Sequence, residues 1–315
     1  MQLLDPKISL VLRFIQNISI LRSKHVVIIG RTIIDAFGAQ YGSPGSDIRT
    51  YFGGAWYVAN LISRFCDVTL CTDVFPPGGE NEALEFEAHA MFKGMPEIKY
   101  RRLNIDQSVM SREDSLPIYF KETGSTPEQA YDIGASDALV FLDYGGAFGA
   151  QGILEGAAQM SKAVFFNSQL NSRRPFLPRR EILSKSSTWT MNQREGRAYR
   201  KALGIDRIAP QLMRSRHKTD CVIETLGPEG ARLVSENNEC FCSSPVVVEN
   251  LNSIGMGDTF LSFLVLGALL GFSRRDTLLI AVMAGAAKAE TFGHERVINE
   301  SDIARIQARF ARQRA

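Results

Sequence analysis

Short β-branched and apolar runs alternate along the chain with longer segments in which apolar residues recur every three or four positions. His25-Val26-Val27-Ile28-Ile29-Gly30 is a run of the first kind, closed by glycine, and predicts a buried strand. Similar runs at Asp67–Cys71, Ala138–Asp143, Ala163–Asn167, Thr188–Asn192 and Cys221–Thr225 predict further strands. Between most of them lie stretches with helical spacing: Ala55–Phe65, Glu82–Phe92, Gly152–Met160 and Glu195–Leu203. Strand alternating with helix predicts an α/β fold, a doubly wound and mostly parallel sheet with helices on both faces.

Two stretches break the alternation. Gly38 to Phe52 is rich in Gly, Ser and Asp, and Ile98 to Lys121 alternates charged with apolar residues. Both predict exposed strands of a small accessory sheet, a β lid near residues 38–52 and 98–121. The final third changes character again, with two very apolar helices, Asp258–Gly271 and Arg274–Thr291, and a closing helix from Ser301. Arg305, Arg309, Arg312 and Arg314 recur on that last helix as a solvated face rather than a nucleic-acid grip. At the other end, Met1 to Arg22 reads as an amphipathic helix. Asp5, Lys7 and Arg13 interrupt it and no small-residue cleavage site follows, so it is not a secretion signal. The longest later apolar run, Phe260 to Phe272, falls short of the roughly 20 residues a membrane span needs.

Length and charge narrow the function. A chain of 315 residues has room for one large α/β domain or two ordinary ones. Its 36 Lys and Arg nearly cancel 34 Asp and Glu, so no long-range field would hold nucleic acid or an anionic membrane, and any anionic ligand is caught locally. The five cysteines, Cys66, Cys71, Cys221, Cys240 and Cys242, match no zinc or disulfide spacing and read as reduced thiols of a cytoplasmic protein. His25, His89, His217 and His294 show no metal-ligand spacing either.

Four places carry candidate chemistry. Asn252-Ser253-Ile254-Gly255-Met256-Gly257-Asp258-Thr259 lies directly before an apolar helix. Its glycines allow a tight turn whose N–H groups converge on an anion at a positive helix end. Asp258 then either accepts a proton from a hydroxyl held there or caps the helix. Asn192-Gln193-Arg194-Glu195 ends a strand, where it either holds phosphate and hydrated Mg²⁺ or forms a helix capping arrangement. In Glu224-Thr225-Leu226-Gly227-Pro228-Glu229-Gly230, Thr225 offers a hydroxyl while Gly227 and Gly230 expose backbone, either to a ligand or in a hairpin turn. Finally, Gly53-Gly54-Ala55 opens a helix and Asp35 follows the first strand, positions suited to polyol hydroxyls or to ordinary turns.

In this order the motifs resemble those of the ribokinase-like (PfkB) carbohydrate kinases, most closely the heptose 7-phosphate kinase branch that feeds surface-polysaccharide synthesis. The motifs are Gly53-Gly54-Ala55, Asp143-Tyr144-Gly145, Asn192-x-x-Glu195, Thr225-x-Gly227-x-x-Gly230 and Gly255-Met256-Gly257-Asp258, within roughly Val26 to Ile298. The resemblance implies a single ribokinase-like domain over residues 1–315 that uses ATP and Mg²⁺. It implies that Asp258 is the catalytic base, that Gly255 to Gly257 form the anion hole, and that Asn192 and Glu195 support Mg²⁺ and the nucleotide phosphates. By the same resemblance Thr225 and Gly227, with Gly230, line the nucleotide site, and Asp35, Gly53 and Gly54 hold the sugar. A homodimer formed through the lid is a further implication. Such chemistry needs positioning and charge neutralisation more than covalent help.

Departures from the pattern lie mostly on the sugar side. Tyr57 stands where the family usually has Asn, Asn252-Ser253 replaces Asp-Thr in a loop associated with monovalent cations, Gly146 replaces Lys, and Asn167-Ser168-Gln169 replaces Asp-Pro-Lys. Arg101, Arg102 and Arg112 are candidates to grip a substrate phosphate. Besides a kinase of a sugar or sugar phosphate, the sequence therefore admits a pseudo-kinase that binds nucleotide or sugar phosphate as a regulatory or partner module. A nicotinamide-dependent dehydrogenase fails, because Gly30-Arg31-Thr32-Ile33 lacks the Gly-x-Gly-x-x-Gly turn. Serine nucleophile chemistry fails likewise for want of a Gly-x-Ser-x-Gly elbow.

Overall fold

A computed structural model of the chain describes residues 6–37, 49–75, 98–102, 134–143, 157–168, 186–208, 219–244, 254–291 and 297–313. Its strands are β1 (His25–Phe37), β2 (Arg49–Gly54), β3 (Asp67–Phe75), β4 (Ile98–Arg102), β5 (Ala138–Asp143), β6 (Val164–Ser168), β7 (Thr188–Asn192), β8 (Cys221–Thr225), β9 (Gly230–Ser235) and β10 (Glu239–Ser243). The longer helices are α1 (Pro6–Leu21), α2 (Ala55–Ser63), α3 (Gln193–Leu203), α4 (Met256–Leu269), α5 (Arg274–Ala289) and α6 (Glu300–Gln313).

The ten strands among the described residues join in one sheet, in the order β10-β9-β8-β7-β6-β5-β1-β3-β4, with β2 paired to β1 off that path. Pairing is parallel from β8 across to β4 and antiparallel at β8–β9, β9–β10 and β1–β2. The alternation of side chains across a strand explains the continuous apolar runs. Val26 and Ile28 of β1, with Ala138, Val140 and Leu142 of β5, enter one core, whereas Val27, Ile29, Leu139 and Phe141 enter the other. The first core is covered by α1, α2, α4, α5 and α6, with the Phe14 ring 5.7 Å from that of Phe263. The second is covered by α3, whose Tyr199 meets Trp189 edge-on at 4.7 Å, and by a helical turn at 157–160. From β1 the chain moves outward through β3 to β4, then returns to β5 on the other side of β1. The order therefore reverses between β1 and β5, and ligands of such sheets gather beyond the carboxyl ends of the strands.

Two expectations are corrected. The first strand does not stop at Gly30 but runs to Phe37, its far half pairing with β2 from Thr32↔Gly54 to Phe37↔Arg49. Gly30 is needed for close approach instead: a Cβ there would lie 2.9 Å from the Cβ of Leu142 on β5. Second, Ile98–Arg102 is not part of a separate accessory sheet; it is β4, the parallel edge of the main sheet, in register from Val68↔Ile98 to Thr72↔Arg102. Among the described residues β4 is the last strand of the sheet, and because successive side chains point to opposite faces, Lys99 reaches solvent while Ile98 is buried, an alternation that resembles a lid strand in sequence. Residues 38–48 and 103–121, the helix expected at Glu82–Phe92 and the beginning of the one expected at Gly152–Met160 lie outside the described residues.

All five cysteines are free thiols, and burial pushes Cys66 up to about 12. Cys240 and Cys242 share one face of β10 with Phe241 exposed between them. Among the described residues no group of three or more His, Cys, Asp or Glu could hold a metal, and no helix is long and apolar enough to cross a membrane.

Candidate active site

β7 and β8 end side by side, with Asn192 and Thr225 as register partners. Asn192 also begins α3. Its Oδ1 accepts from the Glu195 N–H at 2.9 Å, and Glu195 Oε2 accepts from the Asn192 N–H at 2.6 Å, the reciprocal capping box. Of the two arrangements the sequence allowed here, the capping one is therefore present, and it fixes the carboxylate of the buried Glu195 at the strand end.

After Thr225 the chain turns back as a hairpin. Gly227 and Gly230 have φ of 62° and 111°, both in the region that favours glycine, and a Cβ on Gly230 would collide with the backbone of β10 at Cys242–Ser243. Opposite this turn, α4 begins. Its cap residue is Gly255, at φ 74°, so Asp258 is not the cap but the third helical residue, half-buried in the first turn. Helix geometry leaves the first N–H groups of α4 without intrahelical acceptors, pointing at whatever lies before the helix.

A cavity of about 540 Å³ lies between these parts. Asn192, Thr225, Gly227, Gly230 and Gly257 all line it. Its apolar wall is Phe260 of α4 with Val282, Gly285, Ala286 and Ala289 of α5, and Arg194 brings a cation to the same space. The α5 wall was not foreseen from the sequence, although Val282, Gly285, Ala286 and Ala289 have the spacing of one helix face. Nor were Glu224, Arg200 and Arg232. Glu224 is buried, accepts from both arginines, and ties α3 to β9; its signal was a carboxylate inside an otherwise apolar strand.

The sugar-side candidates do not line this cavity. Gly53 and Gly54 end β2, and Gly54, with φ 63° and ψ −132°, lets the chain pass directly from strand into α2. Asp35 lies on the β1 extension in register with Tyr51. Arg112 lies outside the described residues. One contact connects the two sides: Tyr57 in the first turn of α2 is buried, and its hydroxyl is 3.2 Å from Thr259 Oγ1, next in sequence to Asp258.

A sequence profile of the pfkB family carbohydrate kinases matches residues 124–300, more than half of the chain. No match was found among the curated proteins. Among solved structures, the chain is similar to ribokinase from Thermotoga maritima, with TM-score 0.63 and 15% identity over 90% of this chain and 99% of that one. It is similar also to the nucleoside kinase of Methanocaldococcus jannaschii, with TM-score 0.60 and 13% identity over 91% and 99%. For phosphofructokinase-2 from Escherichia coli in complex with potassium the values are 0.59 and 16% over 92% and 99%. At these identities the likeness is one of fold.

Proposed function

The chain belongs to the pfkB family of carbohydrate kinases, and from that premise we propose that it transfers the γ-phosphoryl group of ATP to a hydroxyl of a sugar or sugar phosphate. The observation that carries this reading is the cavity at the ends of β7 and β8, where Asn192, Thr225, Gly227, Gly230 and Gly257 converge beside the start of α4. In our reading the base lies on the α5 wall, the hairpin glycines let the ribose and phosphates approach the backbone, and Arg194 faces the phosphate charge. Asp258 accepts the proton of the acceptor hydroxyl as its oxygen bonds to the γ-phosphorus and ADP departs. The N–H groups of the Gly255–Gly257 turn stabilise the charge on the transferring group. Bound Mg²⁺ would neutralise phosphate charge, and Glu195, whose carboxylate the cap already orients, would lie close to its water shell.

On the acceptor side we assign Asp35, Gly53 and Gly54 to the sugar hydroxyls and Arg112 to a substrate phosphate. The acceptor class we favour is a heptose 7-phosphate-like sugar phosphate used in surface-polysaccharide synthesis in the cytoplasm. One observation favours the alternative of a regulatory pseudo-kinase: Tyr57, at the position of an expected sugar-binding amide, turns inward to Thr259. ADP release across a panel of free and phosphorylated sugars separates the two. Turnover with any acceptor that is lost in Asp258→Asn supports the kinase, and nucleotide binding without turnover on the whole panel supports the pseudo-kinase.

A further inference from the structure

Lys288, in the last turn of α5, is fully buried. Its Nζ donates to Thr291 Oγ1 at 2.9 Å, the Thr291 hydroxyl donates back to the Lys288 carbonyl at 2.9 Å, and the ammonium sits 5.4 Å from the centroid of the Tyr57 ring. That distance is within the range of a cation–π interaction, which is strongest where water is excluded. Burying an ammonium nonetheless carries a desolvation cost that an apolar side chain of the same length would avoid. The contacts of Tyr57 show what the charge accomplishes. Its ring faces Lys288, its hydroxyl reaches Thr259, and its backbone belongs to the first turn of α2, directly after Gly53 and Gly54. The Thr259 N–H in turn donates to the Gly255 carbonyl at 2.9 Å, so the hydroxyl of Tyr57 is bonded to the turn that carries Asp258.

We propose that Lys288 and Tyr57 form a buried positioning unit that fixes the Asp258 turn of α4 against the Gly53–Gly54 turn of α2, and so sets the distance between base and acceptor. This inference rests on the reading of Asp258 as the base. Neither residue touches the reacting atoms in this scheme; they act through Thr259. Small errors in such a distance have a large effect on rate, because phosphoryl transfer depends on a near-attack geometry.

The test compares the full-length parent with Lys288→Met, Lys288→Arg and Tyr57→Phe, reading kcat, acceptor KM, ATP affinity by calorimetry, and amide exchange. Lys288→Met and Tyr57→Phe are expected to lower kcat about tenfold or more with ATP affinity unchanged. Exchange should quicken together at residues 53–58 and 254–260 but not at 193–199. The double variant should be no slower than the slower single one, as for residues acting as a unit, and Lys288→Arg should recover part of the loss. Tyr57→Phe removes a single oxygen, so it decides the matter if Lys288→Met does not fold. A parent-like kcat in Tyr57→Phe, or a rise in exchange spread evenly over all helices, overturns the proposal while leaving Asp258 as the base. A parent inert toward every acceptor overturns the kinase reading and this inference with it.

Discussion

Arg200 donates to both carboxylate oxygens of Glu224, at 2.9 and 3.0 Å, across the seam between α3 and β8. Arg232 of β9 donates to Oε2 of the same carboxylate at 2.9 Å. Gly196 makes the approach possible, since a Cβ there would collide with the Glu224 carboxylate. One buried anion thus holds together two walls of the cavity, α3 and the β8–β9 hairpin.

Glu224→Gln should therefore weaken both the fold and the cleft. Removing one partner of a buried ion pair costs about 3–5 kcal/mol, but both arginines keep some exposure, Arg232 also reaches Glu239 and glutamine keeps an acceptor, so an effect no larger than the lower end is expected. Urea unfolding measures the loss, and calorimetry should show weaker ATP binding under folded conditions. An unchanged unfolding midpoint would mean that the two arginines are satisfied equally well by an amide.

Asp258→Asn should lower the rate with any accepted sugar by about 10²–10⁴, the usual cost of losing a general base, while leaving ATP binding nearly intact. The amide keeps the shape but cannot take the proton. Turnover at the parent rate would reduce Asp258 to a favourable charge in the first turn of α4.

Glu195→Gln separates charge from capping. Glutamine at the third helical position also completes a capping box, so α3 should keep its start. ATP affinity in the presence of Mg²⁺ should fall, while metal-free affinity stays at the parent value. Identical affinities in both conditions would assign Glu195 to the cap alone.

Legibility in the sequence tracked burial. β5, β7 and β8 span the residues that the sequence pattern predicted for them, because their central residues are buried on both faces of the sheet. Gly30 misled because glycine punctuates both turns and close strand contacts, and only the position of Leu142 distinguishes them. Ile98–Arg102 misled because an edge strand and a lid strand share one pattern. The converging loops at Asn192, Thr225 and Gly257 were visible as polar and glycine-rich ends of strands and helices. The α5 wall was not, since Gly285 and Ala286 inside an apolar helix look like core until the fold brings them beside the hairpin.

Acid should loosen the end of the sheet opposite the site. Asp137 accepts from Lys162 at 2.8 Å, from the His25 N–H at 3.0 Å and from Lys24 at 3.4 Å. Burial alone would raise its pKa, but the hydrogen bonds from Lys162 and His25 and the charge of Lys24 outweigh it and hold the carboxyl below its ordinary value. A depressed folded pKa contributes stability above the unfolded value, and that contribution is lost as pH falls through the folded one. Asp137→Asn should thus destabilise at neutral pH, with the difference from the parent shrinking below about pH 4. Urea midpoints over that range test it, and a difference independent of pH would remove the charge from the account.

The β1 extension and β2 suggest where a second copy would sit. Beyond Ile33, β1 is paired only with β2 among the described residues, so this two-stranded ribbon continues past the main sheet at the end where the acceptor site is assigned. Open strand edges invite pairing, and a two-fold contact through 38–52 and 103–121, the part of the expected lid that lies outside β4, would cover them while shielding the site from water. The protein is expected to be a dimer by light scattering. Amides of the two segments should gain protection in hydrogen exchange when sugar and nucleotide are both present, and less when either is absent. A strictly monomeric protein whose segments gain no protection from both ligands together would eliminate the lid and the dimer at once. A dimer without ligand-dependent protection would retain the interface and eliminate only the closure.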